Sequence, residues 1–182
     1  ICSIGGRMRK VWRVFPAVLL LMILLTGCGK NPYKEGMEQL DAGQYKEAEV
    51  NFKKAVEKEK NLADSCRGLG IACFEQKDYE GARKALKQAL KEGTEKTGTI
   101  YNLLGACELE LGNYEEALSC YEKGLEAEGN SKALKQEMEF NVIVACEGME
   151  DWEQAKEKLE EYIAKYPEDE EAEKEAEFLE TR

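Results

Sequence analysis

Cysteines and a dense population of carboxylates are the groups in this chain best equipped for chemistry. Thiolates attack electrophiles and bind soft metals. Five cysteines lie in the body of the chain, Cys66, Cys73, Cys107, Cys120 and Cys146, an odd number that cannot all pair within it. No two stand in C-x2-C spacing and the chain has no histidine, which removes the usual zinc frameworks and the commonest general base. The helical positions that these cysteines occupy favour small buried hydrophobes. A Cys73–Cys107 bridge and a zinc site are the alternatives. The acid runs Glu115-Glu116, Glu160-Glu161 and 168–171 invite a metal or catalytic reading, but lysines lie near them, as on a solvated outer face. Neither an Asp-x-Asn-x-Asp-Gly calcium loop nor a glycine-rich phosphate loop occurs. No catalytic residue, metal site or cofactor is assigned, and no small-molecule substrate is expected. A thiol- or metal-dependent activity of the five body cysteines is the alternative of a different class.

Such groups can act only where the elements of the fold put them. Ala48, Ala82, Ala117 and Ala155 each follow an aromatic by three residues (Tyr45, Tyr79, Tyr114, Trp152) and recur at intervals of 34, 35 and 38 residues. A period of that size marks a stack of near-identical units, an architecture that works by offering a surface. Helix formers dominate after residue 30 and only three prolines occur, so the fold class is all-α. Gly36, Gly70 and Gly105 are expected to oppose Ala48, Ala82 and Ala117, because antiparallel helices approach closely where side chains are small. Asn31-Pro32 reads as an N-cap followed by proline in the first turn. Asn113-x-x-Glu116 and Asp151-x-x-Gln154 read as capping boxes, and Gly43 and Gly112 as left-handed helix ends. The pattern predicts helices over 32–42, 46–59, 62–76, 79–92, 98–111, 114–127, 132–149, 152–165 and 169–181. Extra residues near 131–135 lengthen the seventh, and the last carries Ala172, Ala176 and Leu179 on one face, as a solvating cap would.

The units resemble tetratricopeptide repeats. Repeat 29–62 supplies Gly36, Tyr45, Ala48, Phe52 and Ala55. Repeat 63–96 supplies Leu69-Gly70, Tyr79, Ala82, Leu86 and Ala89. Repeat 98–131 supplies Tyr101, Leu104-Gly105, Tyr114, Ala117 and Tyr121, with Gly124 in the late alanine slot. Repeat 136–169 supplies Val142, Trp152, Ala155, Leu159 and Pro167. It diverges most, with Ile143 in place of the small residue and Tyr162 in place of the late alanine, so its helices are expected to splay or shift. The resemblance implies a right-handed superhelix of antiparallel helix pairs, four repeats capped by residues 170–182. It also implies a concave groove lined by the first helix of each repeat. Carried over, that lining is Tyr33, Met37 and Leu40; Arg67, Ile71 and Phe74; Asn102, Ala106 and Leu109; and Phe140, Asn141 and Val144. An apolar strip with a few amides and one cation suits a protein or peptide segment. Members of the family that grip a C-terminal carboxylate use lysines, asparagines and an arginine where this chain has Tyr33, Met37, Gly68, Thr99 and Leu103. Recognition of that kind is not expected.

Residues 1–27 read as a leader. Met8, the expected start, opens a positive segment, and the apolar run Val14–Leu25 is too short for a comfortable membrane span but fits a signal-peptide core. Leu25-Thr26-Gly27-Cys28 resembles the bacterial lipobox. That resemblance implies diacylglyceryl transfer to the Cys28 thiol, cleavage before Cys28, and a short tether over 28–31. An uncleaved anchor helix is the alternative. Two or three acyl chains hold far better than one, so the protein is expected on the extracytoplasmic side of a bacterial membrane. Gly29 in place of aspartate implies no inner-membrane retention where two membranes exist.

The formal charge is −11, and residues 1–27 hold four bases and no acid, so the remainder is more acidic still. Such a body repels nucleic acid and anionic headgroups. The expected role is that of a membrane-anchored, non-enzymatic scaffold binding a protein or peptide, or more narrowly a part of an envelope assembly, secretion or pilus machine.

Overall fold

The computed structural model describes residues 31–182, which form nine α-helices and no strand. They are α1 (Pro32–Asp41), α2 (Tyr45–Glu57), α3 (Leu62–Glu75), α4 (Tyr79–Lys91), α5 (Gly98–Glu110), α6 (Tyr114–Glu126), α7 (Lys132–Gly148), α8 (Trp152–Lys165) and α9 (Glu170–Leu179). The expected helices are all present, their ends displaced by no more than a residue or two. The segment expected to be a leader, with the lipobox-like Leu25-Thr26-Gly27-Cys28, lies outside the described residues.

Helix starts follow from local chemistry. The side chains of Asp78, Thr97, Ser131, Asp151 and Asp169 accept hydrogen bonds from backbone N–H groups of the first turns of α4, α5, α7, α8 and α9. Two expected capping boxes are revised. Asn113 precedes α6 but makes no cap; its amide instead donates to Glu108 at 2.8 Å. Asp151 caps α8 at 3.1 Å, whereas the Gln154 side chain, instead of returning to the cap, accepts from the Cys146 thiol at 3.0 Å. Ser131 starts α7 early and gives it 17 residues, the expected lengthening.

The turn inside each helix pair is built the same way four times. The N–H of Gln44, Asp78, Asn113 and Asp151 donates to the carbonyl five residues earlier (Gln39, Cys73, Glu108, Cys146). Closing that loop needs a left-handed residue. Gly43 and Gly112 supply it at φ 70° and 75°. In the other two turns Lys77 and Glu150 take the same conformation at φ 62° and 59°, against the preference of a residue that carries a Cβ.

The core runs between the helices of each pair. Ala48, Ala82, Ala117 and Ala155 are all fully buried. The expected glycine–alanine opposition is corrected in one respect: what occupies the space at each glycine is the large residue one turn past the alanine. A Cβ on Gly36 would lie 3.0 Å from the Phe52 ring, one on Gly70 2.6 Å from Leu86, and one on Gly105 2.6 Å from the Tyr121 ring. The backbones still come close, since that atom on Gly70 would sit 3.4 Å from the Ala82 carbonyl oxygen. In the last pair Ile143 and Tyr162 are both buried, and despite the length of α7 its backbone has fewer close approaches to α8 than α3 has to α4. Bulk at those two positions holds the helices apart.

Relieving the left-handed strain should stabilise the array. Lys77→Gly and Glu150→Gly are each expected to raise unfolding free energy by about 0.5–1 kcal/mol, the Cβ penalty partly offset by the greater freedom of glycine in the unfolded chain. Gly112→Ala should lower it comparably. Urea midpoints at constant m-value measure both.

Candidate protein-binding groove

Successive first helices approach one another: α1 with α3, α3 with α5, and α5 with α7. Among the described residues the second helices α2, α4, α6 and α8 make no such approach to each other. The array therefore curves with its first helices inside.

On that inner face the twelve lining residues divide by what they touch. Tyr33, Met37 and Leu40 pack against the Ala48–Phe52–Ala72 cluster, Phe74 against the next, and Leu109 and Phe140 against the last. Rings account for part of this. Tyr33 lies 6.4 Å from Phe52, Phe74 meets Tyr79 edge-on at 5.7 Å, and Phe140 meets Tyr162 edge-on at 5.4 Å. Ile71, Ala106 and Val144, at the same place in three successive repeats, are half-buried yet belong to none of the core clusters. Asn141 is half-buried beside Phe140 on α7. Arg67 is exposed and pairs with Asp64 at 3.3 Å on its own helix. The structure thus narrows the predicted strip to a line of small and branched apolar residues flanked by polar groups.

Asn102 is the exception among the lining residues, being only 8% exposed. Its Nδ2 donates to Oε1 of Glu137 at 2.8 Å, joining α5 to α7, while its Oδ1 is buried without a hydrogen-bond partner. The hydroxyl of Tyr121, whose ring covers Gly105 one turn along α5 from Asn102, is likewise buried and unpartnered. The sequence carried no signal for this group, because Glu137 reads simply as one more surface acid.

A second unforeseen residue is Glu108, 1% exposed. It accepts from Lys87 at 2.6 Å, Asn113 at 2.8 Å and Arg83 at 3.3 Å. Burial alone would raise its carboxyl, but these three donors outweigh that and hold it below the ordinary glutamate range. It is a structural tie between α4, α5 and the turn before α6.

The thiols are placed as packing. Cys66, Cys73, Cys107 and Cys146 are buried, Cys120 is half-buried, and all five are free, so no Cys73–Cys107 bridge forms. Burial pushes Cys73 and Cys146 up to about 11 and Cys107 to about 12, and raises Cys66 and Cys120 as well. They are thiols, not thiolates, at neutral pH, and so poor nucleophiles. Among the described residues no cluster of three or more cysteine and acid side chains could hold a metal ion, and no helix is long and apolar enough to cross a membrane.

Residues 39–97, 99–131 and 144–169 each match a family model described as tetratricopeptide repeat. The chain is a tetratricopeptide repeat protein. The third match begins only past Ile143, where the fourth repeat departs from the pattern. The fold is similar to that of a MamA protein (16% identity, 81% of this chain and 78% of that one, TM-score 0.70). It is also similar to MamA 41-end from Desulfovibrio magneticus RS-1 (21%, 85% and 86%, 0.70). A third similar structure is YrrB, a TPR protein with an unusual peptide-binding site (16%, 90% and 81%, 0.70). At these identities the likeness is one of fold. No curated protein matches the chain in sequence. The all-α superhelix of antiparallel pairs expected from the repeats is the fold observed.

Where the groove meets the terminal helix, the Glu147 carboxyl of α7 faces Glu175 of α9. Burial first, and then the Glu175 carboxylate, pushes Glu147 up to about 7. The folded protein therefore holds a proton that the unfolded chain releases at the ordinary, lower glutamate value. Stability from this contact is present at mildly acidic pH and lost as the pH rises through about 7. Glu147→Gln, neutral at every pH, should match wild-type Tm at about pH 5 and exceed it at about pH 8; thermal melts across that range check the sign.

Proposed function

We propose that this protein is a lipid-anchored scaffold that holds a segment of another protein along the inner face of its repeats. The observation that carries this reading is the line Ile71, Ala106 and Val144. Three apolar side chains in equivalent places stay partly open on the curved-in face instead of entering the core. Apolar surface left uncovered in register over three repeats is what an extended or helical ligand would bury. The repeat family supports the same reading, and so does the peptide-binding site named for YrrB. Buried, protonated thiols weigh against a thiol-dependent activity.

The anchor rests on the leader and on Leu25-Thr26-Gly27-Cys28. A lipid on Cys28 would leave three residues before Pro32, a reach of about 10 Å, and would keep the array against the extracytoplasmic membrane surface.

Two measurements test the proposal. In a pull-down from gently solubilised membranes, wild type should capture a partner that an Ile71→Glu, Val144→Glu variant loses. Neither residue belongs to a core cluster, so circular dichroism should show the variant folded. Capture by both would remove the groove from function. Mass spectrometry of the cellular protein should find Cys28 at the N-terminus carrying diacylglyceryl; an intact leader with a bare thiol would remove the anchor.

A further inference from the structure

We infer that the bound segment is basic and that an arginine of it seats between the third and fourth repeats, on Glu137 and the amide oxygen of Asn102. The inference rests on the groove reading above and names the chemistry of its ligand.

Charge at the helix ends is the first observation. The helix dipole leaves a partial negative charge at each C-terminus, so a base is favoured in the last turn and an acid is not. Second helices each hold a base there, Lys54, Lys91, Lys123 and Lys165, which in α2 and α6 stands with Glu57 and Glu126 in the same turn. First helices do the reverse. Asp41, Glu75, Glu110 and Glu147 stand in the last turns of α1, α3, α5 and α7, and none of these turns holds a base. Asp41, Glu75 and Glu110, placed against the local preference on the helices that form the inner face, make one edge of the groove negative, while Glu147 is turned against Glu175 and holds a proton. Repetition in the first three units argues for a field that acts on something outside the chain.

The second observation is local and independent. Glu137 has the Asn102 amide as its hydrogen-bond partner and makes no ion pair among the described residues. Helix α5, which faces it, contains no basic residue at all. Nδ2 of Asn102 donates to Glu137, and its Oδ1 is a buried acceptor with no donor, in a residue 8% exposed. The Tyr121 hydroxyl is buried and unpartnered too. A carboxylate and an amide oxygen held together without a cation call for a group that is positive and carries only donors. Guanidinium is such a group. It has five N–H donors in a plane, no acceptor, and weaker hydration than an ammonium. Glu137 is exposed, so its side chain can swing outward and admit that plane to the amide. Ala106 and Val144, on the same two helices, offer apolar surface for the arginine stem.

The test uses the full chain in mild detergent and fluorescein-labelled twelve-residue peptides of alternating arginine and alanine, lysine and alanine, or glutamate and alanine. Anisotropy is read at about 0.15 M salt, where distant charges are screened. The arginine peptide should bind more tightly than the lysine peptide, and the glutamate peptide should not bind. Glu137→Gln keeps the size of the side chain and an acceptor for Asn102. It should weaken arginine-peptide binding at least about fivefold, while Glu153→Gln on α8, which removes the same net charge, should change it less than about twofold. Equal losses from the two variants, parity of arginine and lysine, or no arginine-peptide binding would each overturn the anchor. If the pull-down partner still depends on Ile71 and Val144 in that event, the scaffold stands and only the ligand chemistry falls. If the pull-down fails as well, both fall.

Discussion

The array depends on one steric relation. In each of the first three pairs, a first-helix residue with no side chain lies beneath a large second-helix residue: Gly36 under Phe52, Gly70 under Leu86, Gly105 under Tyr121. A Cβ at 2.6 Å from another carbon cannot exist, so any larger residue there would force the helices apart. Helix spacing within a pair fixes how far the next pair is rotated, and that rotation determines which helices face inward. The groove is thus a consequence of three missing side chains. The fourth pair shows the converse, since Ile143 and Tyr162 fill the space and the helices separate before the terminal helix closes the stack.

Charge is distributed by a second rule. The one acid taken wholly out of water, Glu108, is given three donors from two neighbouring elements. A lone buried carboxylate would be strongly destabilising, and a satisfied one ties α4, α5 and the following turn together. That tie holds α5 in place, and α5 carries Asn102 and Ala106 toward the inner face. Apart from Glu147, half-buried against Glu175, most other acids of the described residues lie at the surface, which leaves the body with a long-range negative field. The two arrangements serve different ends, one rigidity and the other attraction at a distance.

How much was legible depends on whether the signal was local. Helix positions were, because the alanine–aromatic spacing, the cap at Asp151 and the glycines at 43 and 112 all act within a turn or two of chain. Lys77 and Glu150 were not, since nothing in a lysine or glutamate announces a positive φ; the neighbouring repeats force it by demanding the same five-residue turn. Asn113 misled because a perfectly placed cap residue found a better partner in a buried carboxylate. Of the lining residues, all twelve fell on the expected helices, but sequence could not say that Phe74 and Phe140 spend their rings on Tyr79 and Tyr162 while Ile71 and Val144 stay open.

By itself, then, the order of residues determined the class of fold, the number of helices between residues 31 and 182, and the small-against-large pattern that lets pairs nest. Each of these follows from periodicity and from sterics within one pair. The burial of Asn102, its bond across 35 residues to Glu137, the sequestering of Glu108 and the meeting of Glu147 with Glu175 were decided only by the tertiary structure. They arise where one repeat is laid against the next, and the environment of a polar group there is set by residues a full unit away in the chain.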